Sequence, residues 1–395
     1  MTRGTDVTDF QRTYRTARTE EFPETLQLEL VRQASLRYGE NPNQPGAIYH
    51  FKDSTLAPLV NIRLAKTGKA GLSATNYMDI TRALQVLKFF TQPAVAVMKH
   101  LIPSGFAKQV DGESLDELYK KARDADARSA FGSVVVFNRR VDAAAATELM
   151  TTYVEGVAAP SFTADALKIL GEKQDLRLIL YDHLDRIPKF TSSLIQGRVN
   201  RMQIPELKGL PTESVLAQAP YLSSIRSPRD LIVDPLVRTP DGKSFVVKRN
   251  PTPRELDDMI TAWYVNVGAV RSNGIVIVKN GVTLAVSSGR TERVGAVEQG
   301  LVQGYQKAMD QAGIKYNPLN GARERHRLKH NPLEGAVLSS DAFFPKPDSI
   351  ELLGRCGISA IIQPGGSKRD SEIIAAANKY KMAMAFTLER CFGHF

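Results

Sequence analysis

Apolar residues along this 395-residue chain follow two rhythms. Short, nearly unbroken apolar runs occupy 94–98, 133–137, 274–278, 283–287, 358–362 and 382–386. A run that is apolar at every position suits a strand in a sheet covered on both faces. Between these runs, apolar residues recur at helical spacing over 79–90, 114–124, 142–152, 163–171, 253–268, 294–312, 349–356 and 371–380. Asp348 precedes one of these helices, and Ser367 and Asp370 precede another, as N-caps would. The alternation predicts an α/β fold with layered helices. Residues 183–250 are richer in Pro and polar side chains and read as a connection. The expected organisation is therefore a tail over 1–25, an α/β unit over 26–182, the connection over 183–250, and a second α/β unit over 251–395. The two units are similar in size without repeating strongly in sequence, so a duplication is only suggested.

Composition narrows the classes. The two cysteines, Cys356 and Cys391, form neither a disulfide framework nor a Cys-x-x-Cys zinc pair, and they fit a reducing cytoplasm. No run of eighteen apolar residues exists to span a membrane. The first 22 residues mix Arg3, Arg12, Arg15 and Arg18 with Asp6, Asp9, Glu20 and Glu21, unlike a transit peptide. They read as a tail that is loose or packs on a neighbour. The net charge of +10 favours anionic partners without choosing among them.

Candidate chemistry lies mostly where strands end. Lys99–His100 follow a buried run and precede Pro103 and Gly105, which predict a loop. Loops at strand ends carry ligand sites in α/β proteins, and a Lys beside a His can supply a charge stabiliser and a general base. An exposed polar loop is the plain alternative. Arg37-Tyr38-Gly39 could cradle a phosphate or a flat ring, or form an ordinary turn. Ser129 to Ser133 are small residues around Phe131 that would let a ligand approach the backbone. Arg271-Ser272-Asn273-Gly274 leads one strand, and Ser287 to Arg293 leaves the next and opens a helix, a place suited to anions. Ser340 to Asp348 joins Phe343 and Phe344 to two acids, which suits a flat heterocycle or simply core packing and a cap. Gln363-Pro364-Gly365-Gly366-Ser367-Lys368 turns a strand into a helix, a plain turn or one whose backbone amides could hold an anion or a carboxamide. The basic run 323–330 is a solvated surface or a dock for an acidic tail. Neither G-x-G-x-x-G nor a Walker A loop occurs.

Six segments, LRYGENPNQPGAIY, MKHLIPSGFA, SAFGSVVVFNRRVD, VRSNGIVIVKNG, SSDAFFPKPDSI and IIQPGGSKRDSEIIAAANKYKMAMAFT, stand in one order over roughly 28–395. In that order they resemble the AICAR transformylase part of the bifunctional purine-synthesis enzymes. The resemblance implies two cytidine-deaminase-like α/β/α subdomains and transfer of the formyl group of 10-formyltetrahydrofolate to the amine of AICAR. It implies a homodimer with sites across the interface, and no metal in the chemistry. By resemblance, Lys99, His100 and Asn273 are catalytic, with His100 accepting a proton. Arg37, Tyr38, His100, Gly132, Glu155, Asn273, Arg293, Phe343 and Arg390 bind AICAR, and Val294, Asp348, Ser367 and Lys368 meet the folate. Only about two dozen residues precede the matching region, so a transformylase without the cyclohydrolase domain is expected. The chain departs from the family at Ile102 and Ser104, where Asn and Cys are usual, and at Lys346, which replaces an aromatic residue.

Two rivals follow from the same residues. One is formyl transfer from formate and ATP, which lacks a nucleotide fingerprint. The other is RNA binding, which the charge suggests but the acids beside Phe343 and Phe344 oppose. Neither nucleic acid nor membrane is expected as a partner.

Overall fold

A computed structural model describes residues 4–10, 23–52, 61–191, 206–270, 272–317 and 323–394. In chain order the strands are β1 (Thr5–Asp6), β2 (Leu30–Ser35), β3 (Ala47–Phe51), β4 (Arg63–Lys66), β5 (Ala94–Lys99), β6 (Ile102–Lys108), β7 (Ser133–Phe137), β8 (Val154–Ala159), β9 (Arg177–Leu180), β10 (Glu206–Leu210), β11 (Ser214–Gln218), β12 (Pro235–Arg238), β13 (Ser244–Val246), β14 (Ile275–Lys279), β15 (Val282–Ser287), β16 (Val337–Ser340), β17 (Ala360–Gln363) and β18 (Ala383–Phe386). The helices are α1 (Ala74–Leu87), α2 (Leu115–Asp124), α3 (Ala127–Ala130), α4 (Ala143–Met150), α5 (Ala164–Gly171), α6 (Pro253–Ala269), α7 (Arg293–Gln311), α8 (Asp348–Arg355) and α9 (Asp370–Lys379). The fold is α/β. No helix among the described residues is long and apolar enough to cross a membrane.

Eleven strands form one sheet in the order β18-β17-β16-β14-β15-β6-β5-β7-β8-β9-β4. Its two halves repeat one plan. A helix (α1 or α6) leads into an antiparallel hairpin (β5–β6 or β14–β15). Three parallel strands follow (β7, β8, β9 or β16, β17, β18), separated by helices. The halves join where Val282 of β15 faces Ala107 of β6, antiparallel. Corresponding features therefore point to opposite ends of the strands, as a half-turn between the units requires.

The apolar runs are buried on both faces because alternate side chains enter different cores. Ala96, Met98, Val134 and Val276 face a core shared by α1 and α6, whose centre is Trp263. Val95, Val97, Val135 and Phe137 face α2, α4 and α5. Ile275, Ile277 and Ile361 face α7, α8 and α9. The two leading helices approach closely at Gly268, where a Cβ would lie 2.7 Å from the Val86 backbone.

The ends of the elements depart from the sequence reading for local reasons. α1 begins at Ala74 rather than 79, since Ser73 and Asn76 form a reciprocal capping box there. Asp348 and Asp370 are first helical residues, not N-caps; those positions belong to Pro347 and Arg369. Asp370 instead reaches back to accept from the Gly366 and Ser367 amides, while Ser367 Oγ accepts from the Arg369 amide. Pro103, Ser104 and Gly105 lie in β6 rather than in a loop. The register shifts beside them, between Val97 and Met98, and Ser104 Oγ donates to the Val97 carbonyl at 3.1 Å. Residues 4–10 of the expected tail pack on the chain's own β12, with β1 parallel to it; residues 11–22 lie outside the described part.

Candidate active site

The strand registers place Lys99, Ile102, Ser133, Val154, Arg177, Ser287, Ile275, Ser340, Gln363 and Phe386 at one end of the large sheet. The strand ends there, with the loops and helix starts beyond them, carry all fourteen residues expected at the site. They fall into a group on the first unit and a group on the second.

The first group centres on the turn between β5 and β6. Lys99 pairs with Ile102, which leaves His100 and Leu101 as a two-residue hairpin turn. Their φ values are 53° and 68°, the pattern of a type I′ turn that Asn-Gly ordinarily fills. A left-handed backbone costs a residue with a Cβ about 1–2 kcal/mol, so this pair carries roughly 2–4 kcal/mol. Part of that is offset from behind. The Leu101 amide donates to Asp79 Oδ1 at 2.7 Å, and a hydrogen bond to a charged group contributes about 1.5–3 kcal/mol. His100 is exposed on this turn and Lys99 is half-buried. Lys99 Nζ donates to the carbonyls of Phe131 and Gly132 at 3.0 and 2.9 Å. Gly132 sits at φ 69°, and a Cβ there would come within 3.1 Å of that ammonium. Glu155 Oε2 accepts from Asn76 Nδ2 at 2.9 Å, so the first two turns of α1 reach both Glu155 and the His100 turn. Arg37 and Tyr38 run past the start of the same helix. The Arg37 amide donates to the Leu72 carbonyl and the Ala74 amide to the Tyr38 carbonyl. The Arg37 guanidinium lies 5.2 Å from the Tyr38 ring centroid.

The second group surrounds the start of β14. Ser272 and Asn273 are also left-handed, with φ 53° and 57°. Asn273 Nδ2 donates to the Arg290 carbonyl at 2.6 Å, and the Gly289 amide to the Ser272 carbonyl at 2.8 Å. Arg271 lies outside the described residues. Arg293 opens α7 but is buried: Nη1 donates to Asp341 Oδ1 at 2.7 Å and to Ser340 Oγ at 3.0 Å. Half-buried Val294 follows it on the helix, and half-buried Phe343 lies on the loop that leads to exposed Asp348. Half-buried Ser367 and exposed Lys368 stand on the turn before α9. Arg390 is exposed, its guanidinium 5.2 Å from the Phe392 ring centroid. Burial pushes the Asp370 carboxyl beneath Ser367 up to about 7, against two amide hydrogen bonds that pull it down.

Ser367 and Lys368 stand apart from the His100 turn within one chain. Four strand spacings, roughly 19 Å at about 4.8 Å each, separate the β5–β6 hairpin from the end of β17. The basic run lies elsewhere again. Its exposed turn at Arg323–Arg327 packs on α7 and reaches Cys356, which precedes β17, so it sits at the end of the sheet opposite His100. Among the described residues, no three His, Cys, Asp or Glu side chains gather as metal ligands.

Asp79 and Asn76 were missed from sequence. One signal was present: Asp79 is an acid beside Ile80 on the apolar face of α1, where an uncompensated charge is costly.

The molecule is thus an α/β protein with Lys, His, Arg, Glu and Asn gathered at one end of its large sheet. The chain belongs to the AICARFT/IMPCHase bienzyme family, which it matches over residues 6–303. It is similar to the bifunctional purine biosynthesis protein PurH of Anoxybacillus flavithermus, 36% identical over 379 residues, and to that of Sorangium cellulosum, 37% identical over 378 residues. These alignments take in 95% and 96% of this chain, which spans 62% of the length of either relative. PurH of Caldicellulosiruptor saccharolyticus is 37% identical over 377 residues, 94% of this chain and 61% of the relative.

Proposed function

We propose that the protein is an AICAR formyltransferase of purine biosynthesis, moving the formyl group of 10-formyltetrahydrofolate to the 5-amino group of AICAR. The observation that carries this reading is the presentation of Lys99–His100. In a chain of this family, half-buried Lys99 ends β5 and exposed His100 opens the strained turn that follows, at the strand ends where Gly132, Glu155 and Asn273 also lie.

The amine of AICAR is conjugated to an electron-withdrawing ring and attacks poorly. It has to be oriented against the formyl carbon and to lose a proton as the C–N bond forms. His100 accepts that proton. Lys99, tethered by two carbonyls, places a positive charge beside the developing oxyanion, and Asn273 orients the formyl oxygen. Collapse breaks the bond to N10, which takes up a proton, and leaves formyl-AICAR and tetrahydrofolate. No metal takes part.

The site belongs to a homodimer, in which the His100 group of one protomer and the Ser367–Lys368 group of its partner serve one pair of substrates. The separation of roughly four strand spacings supports this, as do the exposed apolar side chains Leu30, Val31, Tyr49, Val215 and Leu216 on the two small hairpins. The cytidine-deaminase-like identity of each half rests on the repeated helix, hairpin and three-strand plan.

The test is formyl transfer to AICAR, with tetrahydrofolate, formyl-AICAR and IMP read separately. The wild-type protein transfers from 10-formyltetrahydrofolate and not from formate plus ATP. His100→Ala lowers kcat roughly a hundredfold or more. Absence of transfer by the wild type refutes the assignment.

A further inference from the structure

The duplicated unit supplies an internal comparison for the His100 turn. α1 and α6 occupy equivalent places before their hairpins, and each carries an aspartate as its sixth residue, Asp79 and Asp258. Both are buried, at 4% and 2% exposure. Each accepts from the hairpin turn that follows: Asp258 from the amides of Asn280 and Gly281 at 2.8 and 2.7 Å, Asp79 from that of Leu101 at 2.7 Å. The turns share a conformation as well. Asn280 and Gly281 have φ 52° and 74°, beside 53° and 68° at His100 and Leu101. The difference is chemical. Asn-Gly adopts this turn with little strain, whereas His-Leu does not.

We propose that Asp79 is a positioning residue of the site: from the buried face of α1 it holds the strained His100–Leu101 turn and places a carboxylate behind the imidazole. This rests on the formyl-transfer reading of that site. On this view the first unit keeps the device that closes the hairpin in the second, with a reactive histidine where an asparagine would serve structure alone. The charges facing Asp79 are Lys99 and His100 from the hairpin and Glu155 from β8. Burial pushes the Asp79 carboxyl up to about 6; the Leu101 amide, His100 and Lys99 pull it down, and Glu155 pushes it up. At pH 7.5 it is therefore mostly ionised behind the turn.

The experiment compares Asp79→Asn, Asp79→Ala and Asp258→Asn in the full chain. Steady-state formyl transfer gives kcat and KM for AICAR, and NMR follows the His100 imidazole through pH, its signal assigned by its loss in His100→Gln. Asp79→Asn keeps an acceptor of the same shape and removes the charge, so the pH dependence of the His100 imidazole signal changes. Asp79→Ala also releases the turn, so kcat falls about ten- to a hundredfold, with KM within about threefold. Asp258→Asn, on the opposite end of the sheet, moves neither reading. The proposal is overturned if both Asp79 variants keep the wild-type kcat and His100 titration, or if Asp258→Asn reproduces their effects. Should the wild type transfer no formyl group, the functional reading fails, while the His100 titration in Asp79→Asn still decides whether the aspartate acts on the turn.

Discussion

Removing the carboxylate of Asp341 isolates the value of its buried pair with Arg293. Arg293 is 7% exposed and Asp341 fully buried, with Nη1 and Oδ1 2.7 Å apart. At an effective dielectric constant of about 20, their attraction is about 6 kcal/mol. Desolvating each ion costs several kcal/mol, so the intact pair contributes little net stability. Breaking it is another matter. Asp341→Ala leaves a buried guanidinium with the Ser340 hydroxyl in place of a counter-ion, and the expected loss is about 3–5 kcal/mol. Arg293→Met strands the carboxylate and costs a similar amount. The double variant loses much less than the sum, giving a coupling energy of about 2–3 kcal/mol. Equilibrium urea unfolding measures all four proteins through the single tryptophan, Trp263, buried in the core shared by α1 and α6. A coupling below about 1 kcal/mol, the range of exposed pairs, would refute the reasoning.

Other outcomes follow from single contacts. Gly105→Ala would put a Cβ 1.8 Å from the Ala122 carbonyl oxygen on α2; a loss of about 3 kcal/mol or more is expected, and an unchanged unfolding midpoint would contradict it. Lys99→Met removes the ammonium from the Phe131 and Gly132 carbonyls; formyl transfer should fall at least about tenfold with the unfolding midpoint little changed, and wild-type kcat would exclude Lys99 from the chemistry. Burial raises the Asp370 carboxyl to about 7, above its ordinary 3.8. The folded state therefore holds this proton more tightly than the unfolded state, and stability from this group declines as pH rises from about 4 to 7, by at most about 4 kcal/mol. Asp370→Asn should flatten the pH dependence between 5 and 7, and the same slope in both proteins would count against it.

How much of this was legible in the chain can be judged residue by residue. The buried runs at 94–98 and 133–137 and the helical spacing at 253–268 identified their elements, because covering both faces of a strand leaves no polar positions to disguise it. The order of motifs identified the family. The strands at 63–66, 154–159, 177–180 and 337–340 were not read: three have only four residues, and the Glu, Gly and Ala of 154–159 carry little strand preference. Pro103 and Gly105 pointed to a loop, yet they lie in β6, since Gly105 is where the sheet passes closest to α2.

By itself, then, the sequence determined the α/β class, most of the buried strands and the residues worth testing, because these follow from local periodicity and from chemistry carried by short segments. Only the tertiary structure decided that His100–Leu101 form a left-handed hairpin turn, that Asp79 supports it from 22 positions before Leu101, and that Arg293 is held by Asp341. Those features depend on which strands lie side by side and what the folded core leaves without water, and neither is written in any one stretch of the chain.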